Sequence, residues 1–202
     1  MVAGLLMTLR GTPFVFEGQE IGMVNGDFKD LSEVEDIESH NIYAMAKGLG
    51  IPLGIRWNMI QRTSRDNART PMQWSADAHA GFSSAKPWLK VNGNFAEVNV
   101  AAEREKADGV LAFWKKMIRL RRENEILCEG SFRVIWEGKQ IYAFARELDG
   151  KKLISVSNMS GKTAKLPKVL QGWGRPIVSS YGGNDGGEMK PFEFRLYSVE
   201  DK

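Results

Sequence analysis

Gly11-Thr12-Pro13-Phe14-Val15-Phe16-Glu17-Gly18-Gln19-Glu20-Ile21-Gly22-Met23 is the stretch on which the fold turns. Gly11 suits the position just past a helix end and Pro13 prevents continuation, so residues 1–10 read as the last, buried turns of a helix. Phe14-Val15-Phe16 is a short apolar run bounded by Pro13 and Gly18, the pattern of a strand covered on both faces. Such strands belong to parallel sheets sandwiched by helices. Helix, buried strand and polar loop together are an α/β rhythm. In a β/α barrel the loop after the strand, carrying Glu17, Gln19 and Glu20, lies on the active-site face.

Downstream, residues 24–62 are a long polar excursion with weak helical patterning around 33–46. Residues 63–100 are rich in turn formers, among them Ser64, Asp66, Asn67, Pro71, Gly81, Pro87, Asn92 and Gly93. A compact domain rarely keeps so much irregular chain unless it serves a site. Within it, Ser64-Arg65-Asp66-Asn67-Ala68-Arg69-Thr70-Pro71-Met72-Gln73-Trp74 gathers cations, an acid, amides and an aromatic. Sugars are bound by such mixtures. On composition alone, a loop with two arginines favours a structural salt-bridge knot over a ligand site. By the same standard Glu17 and Glu20 cap the next helix, and Trp74 and Trp88 are packing residues.

Residues 108–124 carry the clearest helical signal. Val110, Phe113, Trp114, Met117 and Ile118 recur on one face, Asp108 is placed to cap the start, and Arg119, Arg121 and Arg122 suit the negative end of the dipole. From Ser131 onward the period changes to two. Residues 131–136, 140–147 and 152–158 read as strands, with Asp149-Gly150 a hairpin turn. Residues 182–187 read as a glycine-rich loop. Phe192, Phe194 and Leu196 then alternate with Glu193, Arg195 and Tyr197 as a half-buried strand.

Composition sets outer bounds. The chain has 202 residues, 43% hydrophobic and 26% charged, enough for a packed core. A net charge of +3 does not by itself imply a nucleic-acid or membrane partner, and the basic run of residues 115–122 reads as a solvated helix face. The lone Cys128 excludes an internal disulfide and a multi-cysteine metal site, and fits a reducing cytoplasm. The apolar start, residues 1–7, is too short to span a bilayer and lacks the plan of a secretory signal.

Residues 11–23 resemble the eighth barrel strand of glycoside hydrolase family 13, and residues 64–74 match the signature of its oligo-1,6-glucosidase-like subgroup. Further agreement comes from Ala80-Gly81-Phe82-Ser83, Lys86-Pro87-Trp88, Asn99-Val100, Leu120-Arg121-Arg122-Glu123-Asn124 and Pro191-Phe192-Glu193. The subgroup also holds dextran glucosidases, trehalose-6-phosphate hydrolases and sucrose isomerases. The resemblance implies an α/β part followed by an all-β part. Residues 1–124 would be the end of a TIM (β/α)8 barrel (helix 7 end, strand 8, helix 8) and residues 125–202 a C-terminal antiparallel β-sandwich.

The implied activity is retaining hydrolysis of an α-linked glucose. One carboxylate attacks the anomeric carbon while another protonates the leaving oxygen. In the family the three working carboxylates stand on strands 4, 5 and 7, all upstream of Thr12, so none transfers to this chain. Substrate recognition does transfer: Arg69 resembles the arginine that grips the terminal glucose, with Arg65, Asp66 and Glu20 in support. At Glu17-Gly18-Gln19 the family more often has Gln-Gly-Glu. His40 and His79 match no catalytic histidine and read as surface or structural residues. No cofactor or metal is implied, and the partner is an α-glucosidic oligosaccharide.

One strand cannot close a barrel. Met1 therefore reads as an internal methionine of a longer protein, residues 125–202 as able to fold alone, and residues 1–124 as poorly stabilised. Phe14, Phe16, Phe113, Trp114 and Ile118 are expected to lack partners. A non-catalytic interaction protein of the same fold is the competing class, and trehalose-6-phosphate hydrolase or sucrose isomerase the competing activities.

Overall fold

Helix α1 (Val2–Thr8) ends where the chain turns extended at Leu9, with Gly11 following at φ 108°. A computed structural model describes residues 1–182 and 186–200; Gly183, Asn184 and Asp185 of the expected glycine-rich loop lie outside the described residues. The chain divides into two units, one of residues 1–14 with 113–202 and the other of residues 15–112.

In the first unit the alternating sequence becomes seven strands: β1 (Ser131–Glu137), β2 (Ile141–Leu148), β3 (Lys151–Asn158), β4 (Ala164–Lys165), β5 (Val178–Ser179), β6 (Glu188–Met189) and β7 (Phe194–Glu200). Five form an antiparallel sheet in the order β1-β2-β3-β7-β5, and β4 pairs with β6. The β2–β3 turn is Asp149-Gly150, with φ of 49° and 72°. Both central residues are left-handed, the geometry that matches strand twist in a two-residue hairpin.

The large sheet is covered on both faces. Leu153, Val178, Phe194 and Leu196 pack with Ala3 and Met7 of α1, Trp114 and Met117 of α5 (Val110–Glu123), and Ile126 and Leu127 of α6 (Glu125–Cys128). Ile154, Val156 and Tyr197 face the other way, onto Ala164 and Met189 of the small sheet. Gly4 lets α1 approach closely: a Cβ there would lie 2.3 Å from the Phe194 ring.

Two arginines sit fully inside this unit. Arg146 has no carboxylate partner among the described residues. Its guanidinium donates to the carbonyls of Ser131 (3.0 Å), Thr8 (3.0 Å), Leu127 (2.7 Å) and Gly130 (2.8 Å). Burial, helped by repulsion from Arg121 and Arg10, pulls its pKa down. Arg195 pairs with Glu193 at 2.6 Å and donates to the carbonyls of Gly186 and Glu188.

The second unit is mostly loop. Around α2 (Ile37–Gly48), α3 (Leu53–Thr63) and the short α4 (Val100–Arg104) run four single-turn 3-10 helices. Phe28, Val34 and Ile60 form one small core, and Ile21, Met72 and Val100 another. The irregular chain is held by side chains bonding to backbone. Asn92 donates to the carbonyls of Val24 and Asn25, and Gln73 to Val98 O and to Asn94 Oδ1.

Several expectations are corrected. Phe14-Val15-Phe16 is not a buried strand: it is irregular, and Phe14 is 82% exposed. A barrel strand needs a hydrogen-bonded neighbour on each edge, and the described strands all pair within the two antiparallel sheets. The two units part within α5 because α1 and the rest of α5 beyond Ala112 pack against the sheet. Phe113 and Trp114 thereby find the partners they were expected to lack.

Residues 194–197 of β7 are buried on both faces rather than half-buried, since the polar side is covered by the small sheet; Phe192 instead turns outward at φ 51°. Trp74 and Trp88 are exposed rather than packed, the latter by 69%. Arg121 is not a solvated cation, for it donates to the carbonyls of Met7, Leu9 and Gly11 at the end of α1. At the start of α5 it is Glu103 that accepts from Leu111 N, at 3.2 Å.

Candidate functional site

The site grows from the end of α3. Ser64 accepts a hydrogen bond from Asp66 N at 3.3 Å and so starts the 3-10 turn Arg65–Ala68. That turn leaves Asp66 fully buried, where its Oδ2 accepts from the backbone N–H of Glu35 (2.7 Å) and Asp36 (2.9 Å). Asp66 thus satisfies two donors at the entry to α2 from thirty residues away. Unsatisfied, those donors would carry the full cost of desolvation.

The exchange is reciprocal. Asp36 stands at the start of α2 but makes no side-chain cap there. Its carboxylate instead receives Arg65 in a forked pair, Nε at 3.0 Å and Nη2 at 2.7 Å, with Ser39 Oγ donating at 2.8 Å. Burial alone would raise the Asp36 pKa. The guanidinium of Arg65, the Ser39 hydroxyl and the Arg65 N–H outweigh it and hold the carboxyl well below the usual carboxylate range.

Arg69 is placed differently. Asp66 Oδ1 accepts no hydrogen bond among the described residues, and the Arg69 Nη1 lies 3.7 Å from it. The pair is steered by charge, and the guanidinium stays 46% exposed, with no hydrogen-bond partner for its side chain among the described residues. The turn therefore ends in a tethered cation with donors to spare.

The two stretches singled out in the sequence meet. Gly26 N donates to Asn67 Oδ1 at 3.0 Å, Asn67 Nδ2 donates to Gln61 O at 2.9 Å, and Ile21 packs on Met72. Between the stretches lies a small cavity of ≈190 Å³, lined among others by Phe16, Gln19, Asn25, Asn67 and Thr70. Glu20 does not join the arginines: its Oε2 accepts from Gly18 N at 2.8 Å and stabilises its own turn, which left-handed Gly18 and Gly22 bracket.

His40 is structural, its Nε2 lying 2.6 Å from Val34 O. Sequence reasoning missed Asp36 and the bridging amide of Asn67. Nothing local marks an aspartate 29 residues upstream as the partner of Arg65, because the pairing exists only once α2 and α3 are packed. Among the described residues no cluster of histidine, cysteine and carboxylates could hold a metal ion, and no helix is long and apolar enough to cross a membrane.

Residues 1–130 match the alpha-amylase family by its catalytic domain. The chain is 35% identical over 206 residues to an oligo-1,6-glucosidase of Halalkalibacterium halodurans, covering 98% of this chain and 37% of that protein. It is 40% identical over 172 residues to a glucan 1,6-alpha-glucosidase of Streptococcus dysgalactiae subsp. equisimilis, covering 85% and 32%. The crystal structure of Bacillus licheniformis trehalose-6-phosphate hydrolase superposes with a TM-score of 0.88 at 30% identity, covering 99% of this chain and 38% of that one. The chain spans about a third of the length of these relatives.

Proposed function

The chain belongs to the alpha-amylase family, glycoside hydrolase family 13, and we propose that it is the C-terminal part of a retaining α-glucosidase of the oligo-1,6-glucosidase kind. In that reading residues 1–124 complete a (β/α)8 barrel whose three working carboxylates are supplied upstream, and residues 125–202 form its β-sandwich. The relatives named for 1,6-glucosidase activity support the substrate class, and the single cysteine suits a cytoplasmic enzyme.

The observation that carries the reading is Arg69. A guanidinium tethered at 3.7 Å to a buried carboxylate, yet half exposed and unspent, is what fixing sugar hydroxyls requires. Charge-assisted donors of that kind hold a terminal glucose in place while the carboxylates act on its anomeric carbon. Arg65 and Asp66 keep the turn in shape through Asp36 and the entry to α2, and Glu20 shapes the turn at residues 18–22.

The chain alone is expected to show no turnover of an aryl α-glucoside. Joined to the preceding barrel segment of an oligo-1,6-glucosidase, it is expected to hydrolyse isomaltose, and Arg69→Gln should lower kcat/KM roughly 10–100-fold, as loss of a charged hydrogen bond to substrate predicts. Turnover by the chain alone, or an indifferent Arg69→Gln, would sink the proposal. The likeness to trehalose-6-phosphate hydrolase favours a second reading, which the same joined protein tests by its preference between isomaltose and trehalose 6-phosphate.

A further inference from the structure

The hairpin of α2 and α3 carries apolar side chains on two sides. Inward, Ile42, Tyr43, Trp57 and Ile60 pack with Phe28 and Val34. Outward, Met45, Leu49, Leu53, Ile55 and Met59 are exposed, Leu49 by 73% and Leu53 by 62%. Met45 and Leu49 are one helical turn apart, and so are Ile55 and Met59, so each helix carries an outer apolar stripe besides the one that meets the core. Clustered exposed apolar side chains mark a surface that something covers.

The turn between the helices fixes this display. Gly50, at φ 73°, donates to Lys47 O, and Ile51 N donates to Ala46 O, both at 3.0 Å. Those two bonds end α2 in the paired reversal that a left-handed glycine allows. Pro52 then starts α3 at once, so Leu49 and Leu53 flank a tight tip.

Charge identifies what covers the outer side. Residues 39–64 hold Lys47, Arg56 and Arg62 and no aspartate or glutamate. None of the three makes an ion pair among the described residues; the Arg56 guanidinium lies over the Tyr43 ring, 4.8 Å from its centroid. A second copy of this surface would bring like charges together, which opposes self-association. An anionic bilayer answers both features, since its headgroups take the cations and its acyl boundary takes the leucines. The exposed Phe14 and Phe16 lack this setting, because Glu17 and Glu20 follow close behind them.

We propose that the α2–α3 tip is a docking site for an anionic membrane surface, into which Leu49 and Leu53 insert while Lys47 and Arg56 meet the headgroups. The proposal does not rest on the glucosidase reading. Its test is sedimentation of the full chain with phosphatidylcholine vesicles containing about 30% phosphatidylglycerol, against vesicles of phosphatidylcholine alone.

Binding to the charged vesicles is expected, roughly tenfold weaker without phosphatidylglycerol and severalfold weaker when salt rises from about 0.1 M to about 0.5 M. Leu49→Ser combined with Leu53→Ser should weaken it about tenfold or more without lowering the melting temperature, because neither side chain packs in the core. Lys47→Glu should weaken it severalfold, whereas Phe14→Ser with Phe16→Ser should leave it unchanged. No binding, or binding indifferent to lipid charge, overturns the proposal, and so does binding that survives the double leucine variant. A dimer in sedimentation velocity that the leucine variant dissociates would assign the tip to a second copy instead. Loss of vesicle binding in the chain joined to the preceding barrel segment of an oligo-1,6-glucosidase would assign the tip to that segment and overturn the proposal equally.

Discussion

Residues 131–200 and residues 15–112 bury polar backbone by different means. In the sheet, Val156, Phe194 and Leu196 are fully covered, and the strands around them pair N–H to carbonyl in unbroken register from β2 through β3 to β7. In the loop-rich unit, fully or nearly fully buried Asp66, Gln73, Asn92 and Asn99 bond to backbone groups that no strand or helix satisfies. The first arrangement repeats a single pattern and tolerates exchange of apolar neighbours of similar volume. The second depends on individual side chains, each with one geometry, and so leaves Arg69 free in an otherwise locked turn.

Removing a core side chain tests the first half of that contrast most severely. Phe194→Ala should destabilise the sheet by about 4 kcal/mol, the usual scale for a large aromatic lost from a closed core. Thermal melts should show it, with hydrogen exchange accelerated first in β3 and β7. Asp66→Ala is the counterpart in the loops. The buried N–H of Asp36 and the part-buried N–H of Glu35 lose their acceptor and Arg69 its tether, for a loss of about 3 kcal/mol. Faster exchange should appear at Glu35, Asp36 and residues 64–70, and equal loss of protection in the strands would erase the distinction.

Acid should produce a smaller effect that again separates the two. The folded Asp36 carboxyl lies below its ordinary value of 3.8, so its contribution is fully present above that pH and is lost as pH falls through the lower folded value. The loop-rich unit should therefore loosen below about pH 4, the unfolded-state carboxylate range. Asp36→Asn should be less stable at neutral pH but flatter with acid. An unchanged acid slope in that variant would remove Asp36 from the account.

Much of the sheet was legible because period-two alternation and the Asp149-Gly150 turn are local signals that tertiary packing did not override. The helix at residues 110–123 was legible for the same reason. Misreadings occurred where a residue's burial depends on a distant partner. Phe14-Val15-Phe16 has the composition of a buried strand, yet burial needs neighbours on both edges. The alternation of residues 192–197 looked one-sided because the sequence does not reveal that Arg195 would be neutralised by Glu193 beneath a second sheet. Of the candidate site, Arg65, Asp66 and Arg69 were visible as residue types at a meaningful spacing. Their division of labour was not.

The sequence by itself determined that this chain carries an α-amylase-family signature, an alternating C-terminal region from Ser131 onward and a charged turn at residues 64–70. Those follow from residue identity and near-neighbour spacing. Only the tertiary structure decided which arginine is spent and which is free. Asp36 and Arg65 are 29 residues apart and meet through the packing of α2 on α3, and charge pairing over such a separation has no trace in local sequence. The same packing leaves Arg69 beside a buried carboxylate it touches only by charge.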